Sequence, residues 1–188
     1  MSYYEVPKRK VFVSFHQQNR TEVDAFIEQW ATSQGVFIPK ALGVSDNDVF
    51  ISSTNPDYVM SQIRAKYLQD SSVTIVLIGK CTHSRRYVDW EIKSSLRQGE
   101  SDAPNGLIGI LLPSQGNTAH LPQRFADNWK SGETGCYARY RSAPTTTTEL
   151  RGWIEDAFAA RTSRASLITN EQDRMGYNAQ CKACAITH

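Results

Sequence analysis

No apolar stretch of the 188-residue sequence approaches the length that spans a bilayer, so no membrane partner is expected. Met1 to Lys10 is polar and leads directly into a predicted strand, unlike a secretory signal, and the expected location is cytoplasmic. An excess of one charge is also missing: 21 Lys and Arg stand against 19 Asp and Glu, for a net charge of +2. With no basic tract interleaved with aromatics, no nucleic-acid partner is expected. Cysteine is sparse, and Cys81, Cys136, Cys181 and Cys184 form no disulfide framework, in keeping with a reducing compartment. Cys181-x-x-Cys184 with His188 has zinc-like spacing. A structural zinc needs a fourth ligand, however, and chain ends fray, so no metal site is expected.

Several motifs are missing too. Without Gly-x-Gly-x-x-Gly after the first strand, a dinucleotide-binding dehydrogenase is excluded, and without Gly-Lys-Ser/Thr so is a phosphate-loop NTPase. A phosphoacceptor receiver needs acidic strand ends, whereas the strands here end in Ser14-Phe15-His16 and Gly79-Lys80-Cys81. There is no internal repeat. At 40% hydrophobic and 21% charged residues, the composition is that of one ordinary globular domain.

What the sequence does contain is organised around Ser71 to Gln98. Val73 to Ile78 is a β-branched apolar run ending at Gly79, the pattern of a strand buried on both faces of a parallel sheet. After a short polar loop, Ser84 offers an N-cap oxygen, and Val88, Glu91, Ile92, Ser95 and Leu96 recur at helical spacing. Arg85 and Arg86 fall in the first turn, where the helix dipole disfavours cations unless an anion binds. Glu91 lies two turns after Ser84 and one after Tyr87, so the three share a face that leans toward the core. A carboxylate on an apolar margin is a candidate active-site acid; the plain alternative is a surface ion pair.

In chain order, Lys10 to His16 reads as a first strand, and Asn19 with Glu22 as a capping box for a helix with Val23, Phe26, Ile27 and Trp30 on its buried side. Val36 to Ile38 is a short strand stopped by Pro39, near a sheet edge. Lys40 to Asn55, containing Asp46 and Asp48, is a long polar loop of the kind that folds over ligands. Asn55-Pro56 starts a helix with Val59, Met60, Ile63, Tyr67 and Leu68 inside. Leu107 to Leu112 is a second buried strand, Cys136 to Tyr140 alternates like an edge strand, and Thr145 to Thr148 caps a last helix through Leu150, Trp153, Ile154, Ala157 and Phe158. Alternation of this kind predicts a flavodoxin-like, doubly wound α/β domain over residues 1–161, its sheet mostly parallel with helices on both faces. Residues 162–188 lose period and read as a tail or partner-binding arm.

The run Ser84-Arg85-Arg86-Tyr87-Val88-Asp89-Trp90-Glu91-Ile92 resembles the aromatic-Val-x-x-Glu-Ile signature on the helix that carries the catalytic glutamate of NAD-consuming TIR domains. With Val11 to His16 and Val76 to Gly79 it looks closest to the TIR-like ThsB family of the bacterial Thoeris anti-phage system. The resemblance runs from the first strand to the end of the motif helix and weakens after Leu107. It implies a TIR-like flavodoxin fold and cleavage of the nicotinamide–ribose bond of NAD, with NAD as substrate and no cofactor. It further implies a diffusible ADP-ribose isomer that reaches a separate effector, with a phage-derived trigger or self-association turning the enzyme on. The catalytic glutamate carries over to Glu91. The aromatic carries over to Tyr87, where many TIR domains have Trp.

That chemistry suits one carboxylate. Nicotinamide departs neutral, so no acid need protonate it, and Glu91 is left to hold the ribose hydroxyls and oppose the cation that builds on the sugar. Arg85 and Arg86, with the first-turn amides, are candidate pyrophosphate contacts. Phe15 and Tyr87 are candidate stacking groups, Ser14, His16 and Ser84 candidate pocket residues, and Asp46 a candidate from the long loop. The rival readings are a non-enzymatic TIR-like scaffold and a nucleotide N-glycosidase, whose neutral base would require an acid that the sequence does not offer.

Overall fold

In the computed structural model, which describes residues 7–40, 55–99, 103–116 and 119–187, the strands form one five-stranded sheet. They are β1 (Lys10–Phe15), β2 (Ile38–Lys40), β3 (Val73–Ile78), β4 (Gly106–Leu111) and β5 (Arg139–Arg141). The order is β2-β1-β3-β4-β5 and every neighbouring pair is parallel. This is the flavodoxin-like order, whose switch point lies between β1 and β3, where successive connections leave in opposite directions and open a crevice at the carboxyl ends.

Helices α1 (Arg20–Ile27), α2 (Pro56–Ile63), α3 (Arg86–Ser95), α4 (Gln123–Asp127) and α5 (Thr147–Ser163) cover both faces. The period of two sorts each buried strand between them. Val11, Val13, Ile75, Leu77, Ile108 and Ile110 pack against the stripe of α1 and against Leu150, Ile154 and Ala157 of α5. Their alternates, Val76, Ile78, Leu107 and Leu111, meet Val88, Ile92 and Leu96 of α3 and Phe125 of α4, and Phe12 joins Val59, Ile63 and Trp90.

Local signals explain most boundaries. Asn55 accepts from the amides of Asp57 and Tyr58 with Pro56 at the first position of α2, and Thr146 accepts from the amide of Glu149 to start α5. Gly35, at φ +58, ends the extension of α1 in a conformation that favours glycine. The second strand begins where the sequence reading ended it: Pro39 lies within β2, opposite Val11. An edge strand has one hydrogen-bonded neighbour, so the missing amide is tolerated on its open side. The last strand is likewise displaced, to Arg139–Arg141, because Cys136, Tyr137 and Ala138 are buried in the approach to it. Asn19 does precede α1, but its side chain makes no cap; it lies under Gly79, where a Cβ would come within 2.3 Å of Asn19 Oδ1. Glu22 turns instead to Ser114, accepting from its amide and hydroxyl.

The segment after α5 folds back across α3 and α4. Trp90 Nε1 donates to Met175 O at 2.8 Å and Lys93 Nζ to Gln172 O at 2.8 Å, so the arm runs along the helix that carries Glu91. A third bond, from the Ala179 amide to Ser84 O at 2.9 Å, ties the arm to the turn just before α3. Among the described residues no helix is long and apolar enough to cross a membrane.

Candidate active site

Ser14 ends the fully buried part of β1, and Glu91 projects from α3 toward it across the β1/β3 switch point. The Ser14 hydroxyl donates to Glu91 Oε2 at 2.5 Å. Glu91 is only 6% exposed, and Ser14 is fully buried. Among the described residues Glu91 makes no ion pair, so the alternative of a surface salt bridge does not describe it. Burial pushes its carboxyl up to about 8, against the opposing pull of the Ser14 hydrogen bond. The site therefore contains a desolvated carboxyl group without a compensating cation, which is unfavourable for folding and common where chemistry is done.

Other predicted residues are placed around this pair. Phe15, half-buried, packs against the core on the α1 and α5 side, and His16 is buried at the start of the next turn, its carbonyl accepting from the Asn19 amide. Ser84 is buried but does not cap α3. Its hydroxyl donates to Cys81 O at 2.9 Å, closing the preceding turn, and Arg85 occupies the cap position without a capping side chain. The Arg86 amide, expected to be open to an anion, instead donates to Asn178 Oδ1 at 3.0 Å.

The two arginines differ. The Arg86 guanidinium stacks over Tyr87 and Trp90, 5.1 and 5.4 Å from the ring centroids. Arg85 is half-buried; burial lowers its pKa, and its Nη1 is enclosed without a hydrogen-bond partner among the described residues. Tyr87 is 37% exposed and meets Trp90 edge-on at 5.1 Å. It is displaced toward solvent relative to Glu91, although the two are one turn apart. Asp46 and Asp48 lie outside the described residues.

Sequence reading missed the charges that hold α3. Asp89 and Arg124 form a buried ion pair at 2.8 Å, their side chains 8% and 1% exposed. Arg124 also donates to Asn170 Oδ1 and to the carbonyls of Gln172 and Asp173, and Asp89 Oδ2 accepts from the Met175 amide. An available signal was Asp89 itself, an acid beside Val88 on a helix whose neighbouring positions are apolar. Its partner lay in the aperiodic stretch after β4, where no spacing marks it.

The arm also changes the picture of the cysteines. Cys181 is fully buried, and the Cys81 sulfur lies 2.8 Å from that of Cys181 and 3.4 Å from that of Cys184. His188 lies outside the described residues. Elsewhere, a cavity of about 600 Å³ lined by Arg64, Ser94, Arg97, Asn105 and Arg161 opens at the amino ends of β3 and β4, opposite Glu91.

Comparison with known proteins gives two findings. A family model described as "Thoeris protein ThsB, TIR-like domain" matches residues 12–117, which include most of β1, all of α3 and both Ser14 and Glu91. A curated protein of Bacillus cereus (strain MSX-D12), named "Putative cyclic ADP-D-ribose synthase ThsB1", is 28% identical over 167 residues, covering 77% of this chain and 84% of that protein.

Proposed function

The chain belongs to the TIR-like domain family of Thoeris ThsB proteins, and from that premise we propose that it cleaves NAD in anti-phage defence, releasing nicotinamide and forming a cyclic ADP-ribose signal. The observation that carries this reading is the buried Glu91 carboxyl held by Ser14 at the sheet's switch point. The name of the Bacillus cereus relative supports the product class.

In this reading the bond between the ribose C1′ and the nicotinamide nitrogen breaks, and its electron pair leaves with neutral nicotinamide. Positive charge builds on the sugar, and Glu91 opposes it while accepting from a ribose hydroxyl. A nucleophilic atom of the same dinucleotide then closes on C1′ and gives the cyclic product; water at that position gives the linear one. Ser14 positions the carboxyl group and favours its ionised form. The cationic nicotinamide riboside does the same on binding, so a carboxyl that burial has pushed up to about 8 loses its proton to become functional. Tyr87 supplies a ring face to a base, and Arg85 a charge to the pyrophosphate. A diffusible product reaches a separate effector, and a phage-derived trigger or self-association switches the enzyme on.

The test is nicotinamide release from NAD by the purified protein, alone and with lysate of infected cells, with the nucleotide products separated by chromatography. The wild type is expected to form a cyclic isomer. Glu91→Gln is expected to lower the rate on the order of 10²-fold or more while remaining folded. An equally active, folded Gln variant would overturn the assignment.

A further inference from the structure

Cys81 follows β3 and is 100 positions from Cys181 in sequence, yet the sulfur atoms of Cys81, Cys181 and Cys184 all lie within 4.8 Å of one another. In a tetrahedral zinc–thiolate site with bonds near 2.3 Å, sulfur atoms stand about 3.8 Å apart, so this triangle needs only small side-chain adjustment to receive an ion. The surroundings are those of a built site. Cys81 and Cys181 are buried, while Cys184 is half-buried and leaves one side open. Cys181 and Cys184 flank a tight turn closed by the Ala185 amide on Cys181 O at 2.8 Å, with Ala185 at φ +60. Cys136 belongs to a different part of the core, with its thiol on Ala138 O.

We propose that Cys81, Cys181 and Cys184 bind a zinc ion, with a water molecule in the fourth position, and that the ion fastens the C-terminal arm to the loop between β3 and α3. Three thiolates suit zinc, a borderline-soft ion that favours sulfur ligands and tetrahedral geometry. A disulfide would join only two of the three sulfur atoms, whereas one zinc ion takes all three. The ion would act on the position of α3 through the loop that precedes it, ten residues before Glu91, without entering the chemistry of NAD. The zinc site therefore stands or falls separately from the proposed activity.

The experiment uses the full chain, purified under reducing conditions without a polyhistidine tag. Elemental analysis is expected to find about one zinc per chain, and exchange with Co²⁺ to give the thiolate charge-transfer absorption and the visible bands of tetrahedral cobalt. Cys184→Ser, at the half-buried position, is expected to lower zinc affinity about tenfold or more, whereas Cys136→Ser retains the metal. To separate ligand loss from misfolding, the wild type is stripped with a chelator and followed by hydrogen exchange. Faster exchange in residues 178–186, reversed by added zinc, supports the site. A chain that neither carries zinc nor takes up Co²⁺, equal metal loss in the Cys136 variant, or a Cys81–Cys181 disulfide in the freshly isolated protein would overturn it.

Discussion

Replacing Glu91 by Gln should change how stability depends on pH, whether or not any substrate is present. In the folded protein the Glu91 carboxyl keeps its proton up to about pH 8, while an ordinary glutamate releases it near 4.5. Between these values unfolding releases a proton, so rising pH favours the unfolded chain across that window and has little further effect through this group outside it. From pH 6 to pH 8 the single group is worth about 2 kcal/mol of lost stability. Gln keeps the shape and cannot ionise, so the variant escapes this loss and gains about 2 kcal/mol on the wild type over the interval. For a chain of this size that corresponds to a relative rise in melting temperature of about 4–8 °C. The assay is paired thermal or urea unfolding of both proteins at pH 6, 7 and 8, in which the other titrating groups cancel in the difference. Parallel stability curves would refute the argument, because they would mean that Glu91 is ionised or solvated in the folded state.

Ser14→Ala removes the donor that favours the carboxylate; the pH midpoint of kcat/KM for NAD cleavage should move to higher pH, read from a full pH–rate profile. Arg124→Met leaves Asp89 buried without its cation and should cost about 3–5 kcal/mol in urea unfolding. Trp90→Phe deletes the bond to Met175 O; a loss of about 1 kcal/mol is expected, with faster hydrogen exchange around residues 172–178. Tyr87→Ala, at an exposed ring, should raise KM for NAD while leaving the melt close to that of the parent.

The parts of the fold that were legible in sequence are those governed by periodicity. Val73–Ile78 coincides with β3 because a strand covered on both faces shows as an unbroken apolar run. The buried stripe of α3 was legible for the same reason, and with it the inward direction of Glu91. What escaped depended on partners far along the chain. The arm holds α3 and α4 largely through the carbonyls of Asn170, Gln172, Asp173 and Met175, groups that every residue possesses and that leave no compositional trace. Cys81 and Cys181 are 100 positions apart, so a spacing rule that looks within a motif finds Cys181, Cys184 and His188 and passes over Cys81. Ser84 looked like a cap because its residue type and position suited one. Its hydroxyl found a nearer acceptor in Cys81 O, and the amide it would have served was met by Asn178.

The bond between Arg86 and Asn178 joins positions 92 residues apart, and that between Asp89 and Met175 joins positions 86 apart. During synthesis, then, the five strands emerge and can pair while the helix bearing Glu91 still lacks its outer fastening. A nascent chain halted between β5 and the arm would carry all five strands without the partners that fasten α3 from outside.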